Sequence, residues 1–99
     1  MSTYTPTKLF DGALGTASVP LFQATSTTIL KEIILTNTTT GALTVSVSAA
    51  GNVLIPGTAV GANSLTVIDL SKVMVTNDAL TGDASAAGVN AFISGIVIT

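Results

Sequence analysis

The segment that decides the fold is residues 27–36, which read TTILKEIILT. β-Branched residues dominate it, and they favour strands because their branched Cβ packs well on a pleated surface. Strict alternation would place Ile29, Lys31, Ile33 and Leu35 on one face and Leu30, Glu32, Ile34 and Thr36 on the other. Neither face is plainly polar. If both faces are covered, Lys31 and Glu32 each need a partner across the sheet or across a subunit boundary, whereas near a sheet edge both would reach water.

The same period-two alternation recurs on both sides of this segment, bounded by Gly, Pro and Asn. It predicts strands over residues 18–24, 43–49, 53–55, 65–70 and 89–99, and a short strand or a turn over residues 72–75. Pro20 confines its strand to a sheet edge or a bulge, because proline cannot donate a ladder hydrogen bond. We expect Pro56 and Gly57 to end a strand and residues 58–63 to form a loop.

The last segment, residues 89–99, is apolar on both faces. One face carries Val89, Ala91, Ile93, Gly95 and Val97, and the other carries Phe92, Ile96 and Ile98 around Ser94. A solvent-exposed edge strand would not have two apolar faces, so this strand is either central and covered or packed against a neighbouring chain. We expect Phe22 and Phe92 to lie in the core.

The chain of 99 residues suits a single domain. We predict an all-β fold, an antiparallel two-sheet β-sandwich of about seven to eight strands, either immunoglobulin-like or jelly-roll. Residues 1–10 would form a polar N-terminal arm with a first short strand, and residues 11–99 the single β-sandwich domain. The alternation does not distinguish the two topologies.

Composition excludes several classes of function. The chain has no cysteine and no histidine, which removes disulfides, thiolates and imidazole bases, so we expect no cofactor and no metal site. A net charge of −2 with only three Lys and Arg residues argues against a nucleic-acid partner. The apolar runs are too short to span a membrane. The N-terminus lacks the pattern of a secretory signal, which predicts synthesis in the cytoplasm.

Few residues offer chemistry. Asp78 and Asp83 lie in turn-like sequence and could ligate calcium or serve a small enzyme or ligand carrier, but turn formation is the favoured interpretation. Asn37 begins an N-glycosylation sequon, which we also interpret as a turn. With no paired carboxylates and no nucleophile beside a base, we do not expect an enzyme.

The scarcity of charge is the most informative feature. Apolar types make up 47% of the chain and charged types only 8%, against ~25% in ordinary soluble domains. Such a surface favours life in an assembly, where protein neighbours cover it; the alternative is a monomer solubilised by Thr and Ser hydroxyls. The candidate interface residues are Tyr4, Pro6, Leu9, Phe10, Lys31 and Glu32.

The order of phrases along the chain resembles small β-sandwich virion structural proteins of tailed bacteriophages. The resemblance spans nearly the whole chain and rests on residues 5–10, 19–22, 28–38, 55–57, 62–70 and 89–96. It implies a non-enzymatic structural role, as a head decoration or cement protein, with a tail, fibre or receptor-binding module as the alternative.

The same resemblance implies where the protein works and with what. The partner would be the major capsid protein or another virion protein, and the location the virion, at the capsid surface rather than the tail. We also expect self-association, with a homotrimer as the leading guess, because local threefold positions occur in icosahedral shells. We expect neither nucleic acid nor membrane as a partner.

Overall fold

The computed structural model describes residues 3–99, and every regular element in that range is a β-strand. The strands are β1 (Tyr4–Ala13), β2 (Val19–Gln23), β3 (Thr28–Asn37), β4 (Leu43–Ala49), β5 (Asn52–Val60), β6 (Ser64–Met74), β7 (Ala79–Ala84) and β8 (Val89–Ile98). They form two four-stranded antiparallel sheets, so the predicted all-β sandwich is confirmed.

The strand order resolves the topology that the sequence left open. The first sheet has the order β1-β8-β3-β6 and the second has the order β2-β7-β4-β5. The antiparallel pairs β1–β8, β2–β7, β3–β6 and β4–β5 are nested, as if one long hairpin closed by the β4–β5 turn had been wound up. This winding is the double Greek key of a jelly roll.

The core lies between the two sheets as one cluster of buried apolar side chains. Its largest fully buried apolar side chains are Leu30, Ile33, Leu35, Met74, Leu80, Ile93, Val45, Val47, Val60 and Val89. β8 is central in the first sheet, between β1 and β3, which was one of the two arrangements that its apolar faces allowed, and its outer face is only half-buried. Phe22 packs against the core as predicted.

Strict alternation fails in β3, because the register shifts between Leu30 and Glu32 relative to both neighbouring strands. Lys31 is an extra residue opposite β8, which makes a β-bulge. Leu30 and Ile33 are both buried as a result, while exposed Lys31 and half-buried Glu32 share the outer face. The prediction that these two charges lie on opposite faces is therefore wrong.

The predicted polar arm differs from the structure, because its residues from Tyr4 onward belong to β1. This strand pairs with β8 from Tyr4 opposite Ile98 to Ala13 opposite Asn90, with one irregularity at Leu9. Threonine suits strands well and backbone pairing needs no apolar side chain, so a polar segment can still join a sheet. Residues 1 and 2 of the predicted arm lie outside the described range.

Two further strand boundaries were wrong. β5 continues through Pro56 and Gly57 to Val60, because these two residues bulge opposite Ser46 and pairing resumes at Thr58. β6 is one strand rather than two, since it passes through a similar irregularity near Ser71. The limits of β4 agree with the prediction, and Pro20 lies in an edge strand beside a register shift as expected.

Candidate interface on the outer face of the first sheet

The two outer faces of the sandwich differ sharply in chemistry. Side chains that point outward from the centre of the second sheet are small and polar, including Thr44, Ser46, Ser48, Thr81 and Asp83. These polar groups can hydrogen-bond to water, so the centre of this face needs no partner, and Val53 is an exposed apolar side chain at its β5 edge. The outward side chains of the first sheet are mostly aliphatic or aromatic, and they follow the cross-strand register in rows.

One apolar row crosses all four strands of the first sheet. Pro6 pairs with Ile96, Ile96 with Ile29, and Ile29 with Val73. Tyr4 and Ile98 pair beside this row at the same end of the sheet. Cross-strand neighbours lie ~5 Å apart, so the row forms a continuous apolar band.

A charged row runs across the middle of the same face. Lys8 pairs with Ser94, Ser94 with Glu32, and Glu32 with Asp69. The Lys31 Nζ donates to Ser71 Oγ at 3.0 Å beside this row, and Lys8 Nζ lies 3.7 Å from Asp11 Oδ2. Both contacts are exposed and add little stability, so these charges are available to a partner.

A second apolar row lies beyond the charges. Phe92 pairs with Ile34 and Ile34 with Val67, and Leu65 is outward in the row after that. We call this side of the first sheet the outer apolar face. Its apolar members are the two apolar rows together with Tyr4, Ile98 and Leu65, and the charged row lies between the two apolar rows.

The outer apolar face carries most of the exposed large apolar side chains of the described chain. Four of the seven lie on it: Tyr4 at 65%, Leu65 at 57%, Val73 at 55% and Val67 at 49% relative exposure. The total accessible surface of 5103 Å² matches the ~5,200 Å² expected for a compact monomer of this mass. The fold is therefore fully compact, and the unusual feature is the chemistry of one face.

A shallow depression of about 440 Å³ lies at the centre of this face, lined mainly by Pro6, Lys8, Lys31, Phe92 and Ile96. Gly95 is part of its lining, and a Cβ there would meet the Ile29 carbonyl oxygen and come within 3.1 Å of Leu9 Cδ1, so the backbones of β8 and β3 approach closely at this point. The depression thus coincides with the bulges at Leu9 and Lys31, where the sheet backbones crowd together.

The structure separates the predicted interface residues into two groups. Tyr4, Pro6, Lys31 and Glu32 lie on the outer face of the first sheet. Leu9 is only 8% exposed and belongs to the core, and Phe10 packs against that core. The bulge at Leu9 turns both side chains inward.

The sequence interpretation missed the apolar residues that dominate this face, chiefly Ile29, Ile34 and Ile96. Phe92 was expected in the core but lies on the outer face, half-buried. The sequence feature that could have identified this outer face was the second apolar face of residues 89–99, which carries Phe92, Ile96 and Ile98.

Two of the residues considered for chemistry shape turns, whereas Asp83 lies within β7, so the turn predicted for Asp83 is wrong. Asp78 Oδ2 accepts a hydrogen bond from the backbone N–H of Val75 at 2.9 Å, which closes a turn as predicted. Asn37 also organises a turn, since its Oδ1 accepts from the Thr39 N–H at 2.9 Å. Within residues 3–99, no three acidic side chains gather in a way that could hold a metal ion. No helix in that range has the length and apolarity to cross a bilayer.

Comparison of solved structures shows that the fold is one found in viruses. A chain from the structure of infectious bursal disease virus, Gx strain, superposes on 98% of this chain with a TM-score of 0.59 and 15% identity. Tobacco streak virus coat protein aligns over 97% of this chain and 84% of its own, with a TM-score of 0.43 and 12% identity. This chain spans about a third, 32%, of the infectious bursal disease virus chain. No family model matches the sequence, and no curated protein is significantly similar to it.

Proposed function

We propose that this protein is a non-enzymatic structural component of a virus particle, a decoration or cement protein that docks on the capsid through its outer apolar face. The observation that carries the proposal is the contrast between the small polar side chains at the centre of the second sheet's outer face and the outer apolar face of the first. A free monomer has no use for such an asymmetric surface, whereas a subunit fixed to a shell needs one face for its partner and one for water.

The energetics of docking favour a lattice partner. Full burial of an aliphatic side chain contributes ~1.5–3 kcal/mol, so covering a half-exposed residue such as Val73 contributes about half of that. Several such residues together offset the entropy of association. A protein that binds only the assembled shell stabilises it by mass action.

Two further observations support this function. The jelly-roll fold is shared with the chain from infectious bursal disease virus, and the sequence phrases resemble virion proteins of tailed bacteriophages. The partner in this proposal is the major capsid protein or another virion protein, and the location is the capsid surface.

The test compares two valine substitutions on opposite faces of the molecule. Val73→Lys places a charge on the outer apolar face, and Val53→Lys places the same charge on the other face at a site of similar exposure, 55% against 63%. We expect Val73→Lys to weaken binding to particles that lack the protein by at least ~10-fold, since an ammonium would be buried. Val53→Lys should bind like the wild type.

Quantitative mass spectrometry of particles and their heat stability complete the test. The proposal expects many copies on the head and DNA release at lower temperature from particles that lack the protein. A few copies located at the tail would support the fibre or receptor-binding alternative instead. Equal binding by both lysine variants would overturn the assignment of the docking face.

A further inference from the structure

Three of the four sheet edges are blocked against pairing with another strand. The edge strands are β1 and β6 in the first sheet and β2 and β5 in the second. The three prolines of the chain lie one each on β1, β2 and β5, as Pro6, Pro20 and Pro56. Each of these strands also has an irregular register. Prolines and bulges on edge strands are the usual protection against edge-to-edge association.

The fourth edge has such protection only in its second half, where β6 has a register irregularity and carries Lys72. β6 is the longest strand in the described chain, 11 residues, and contains no proline. Residues 64–69 pair with β3 in an uninterrupted register, and the only irregularity of β6 lies beyond them. Within this stretch Leu65 and Val67 are 57% and 49% exposed, and Val67 and Thr66 are of types that favour strands. An open edge with a continuous register and exposed apolar side chains is a template for another strand.

We propose that β6 pairs antiparallel with β6 of a second copy of this chain, about a two-fold axis at Thr66. This inference rests on the proposed function, because the pairing would join the docking faces of two copies into one larger docking face. Both copies then present their outer apolar faces on the same side of a continuous eight-stranded sheet.

The side chains select this register. With Thr66 on the axis, the Thr66 residues of the two copies lie opposite each other. Leu65 of each copy lies opposite Val67 of the other copy. Threonine pairs and aliphatic pairs across strands are favourable. If the axis lay at Val67 or Ile68, Asp69 would instead face the partner's Leu65 or Val67. The Thr66 register also keeps the two Asp69 carboxylates ~20 Å apart, since each strand residue rises ~3.3 Å.

The size of the docking face favours a second copy as the occupant of this edge. Four strands at ~4.8 Å spacing and ten residues at ~3.3 Å rise give an outer face of roughly 600 Å². A stable interface typically buries ~800 Å² on each partner. One copy falls short of that area, and two copies joined through β6 exceed it. Pairing would also cover the exposed flanks of Leu65 and Val67.

The first measurement is the mass of the isolated full-length protein by sedimentation equilibrium over a wide concentration range. We expect reversible association to twice the 9.8 kDa of one chain. A homotrimer, which the sequence suggested, cannot arise from one two-fold pairing of open edges. A mass of one or three chains at every concentration overturns the inference.

The second measurement uses the absence of cysteine from the chain. Thr66→Cys places two thiols directly opposite each other, with Cα atoms ~4.5–5.5 Å apart, a distance that suits a disulfide. We expect oxidation to give a covalent dimer in high yield. Ser64→Cys is the matched control, because its two thiols would be ~13 Å apart along the strand. Equal cross-linking of both variants contradicts the register.

If Thr66→Cys fails to fold, the double variant Leu65→Cys/Val67→Cys tests the same axis, since each cysteine then faces the other type in the partner. Failure of the two proposals is distinguishable. Dimerisation is measured on the isolated protein, without virus particles. The docking variant Val73→Lys lies outside the paired stretch of β6, so it tests docking without changing the pairing. A dimer that does not bind particles retains the pairing and contradicts the docking role; a monomer that binds particles does the opposite.

Discussion

Asn37 shows at the scale of one residue how a polar side chain can hold a loop in an apolar fold. It is 1% exposed at the end of β3, and its Nδ2 donates to the carbonyl oxygens of Gly41 at 2.9 Å and Val60 at 3.0 Å. Its Oδ1 accepts from both the N–H and the Oγ1 of Thr39. All of its amide capacity is used, so the β3–β4 connection and the end of β5 are tied to one group.

We predict that Asn37→Asp lowers the free energy of unfolding by ~3 kcal/mol, because a buried carboxylate would replace the donor to two carbonyl oxygens and cannot donate when ionised. Urea unfolding followed by circular dichroism measures the change. Thr38→Ala is the control, since Thr38 makes an exposed hydrogen bond to Gly88, and we expect a loss of at most ~0.5 kcal/mol. Equal losses for the two variants would show that the amide network is not important.

Individual strands show how far the sequence alone could predict this fold. β4 was predictable to the residue because one face meets the core and the other meets water, which gives strict alternation. The bulge at Lys31 was not, because a register shift depends on the neighbouring strand rather than on the segment itself. The scarcity of charged residues predicted that protein neighbours cover part of the surface. Which surface it is depends on strand pairing, and so Phe92 and Ile34 were missed.

The bulge in β3 provides a test at the scale of the element. Deleting Lys31 should leave β3 folded with a loss of only ~1–2 kcal/mol, because Leu30 and Glu32 would then continue the regular pairing with Gly95 and Ser94. Deleting Ile34 should abolish folding, because it turns one half of the strand over and expels core residues. Thermal unfolding compares the two deletions. Similar stability for both would mean that Lys31 is not the extra residue.

The winding of the whole molecule brings distant parts of the chain together. β1 pairs with β8 along its length, and the Thr3 N–H donates to the Thr99 carbonyl at 2.7 Å while the Thr99 N–H donates to the Thr3 carbonyl at 2.9 Å. The outer apolar face therefore combines residues from both ends of the sequence, such as Pro6 and Ile96, with others from its middle. This face exists only when the jelly roll is complete, so we treat it as a property of the entire fold.

The closeness of Thr3 and Thr99 allows a test of whether a free arm or a folded face binds the partner. An Asn-Gly linker from Thr99 to Thr3 would make β8 and β1 a two-residue hairpin, and new termini between Thr16 and Ala17 would open an exposed loop. We expect the free energy of unfolding of this permuted chain to lie within ~1 kcal/mol of the wild-type value, because no strand pairing is lost.

If the outer apolar face binds the shell, the permuted chain keeps its particle affinity. If residues 1–8 act as a free arm, it folds but binds at least ~10-fold more weakly, since the arm is then held at both ends. A particle-binding titration beside the urea curve decides between the two, and normal folding with lost binding would refute docking through the face alone.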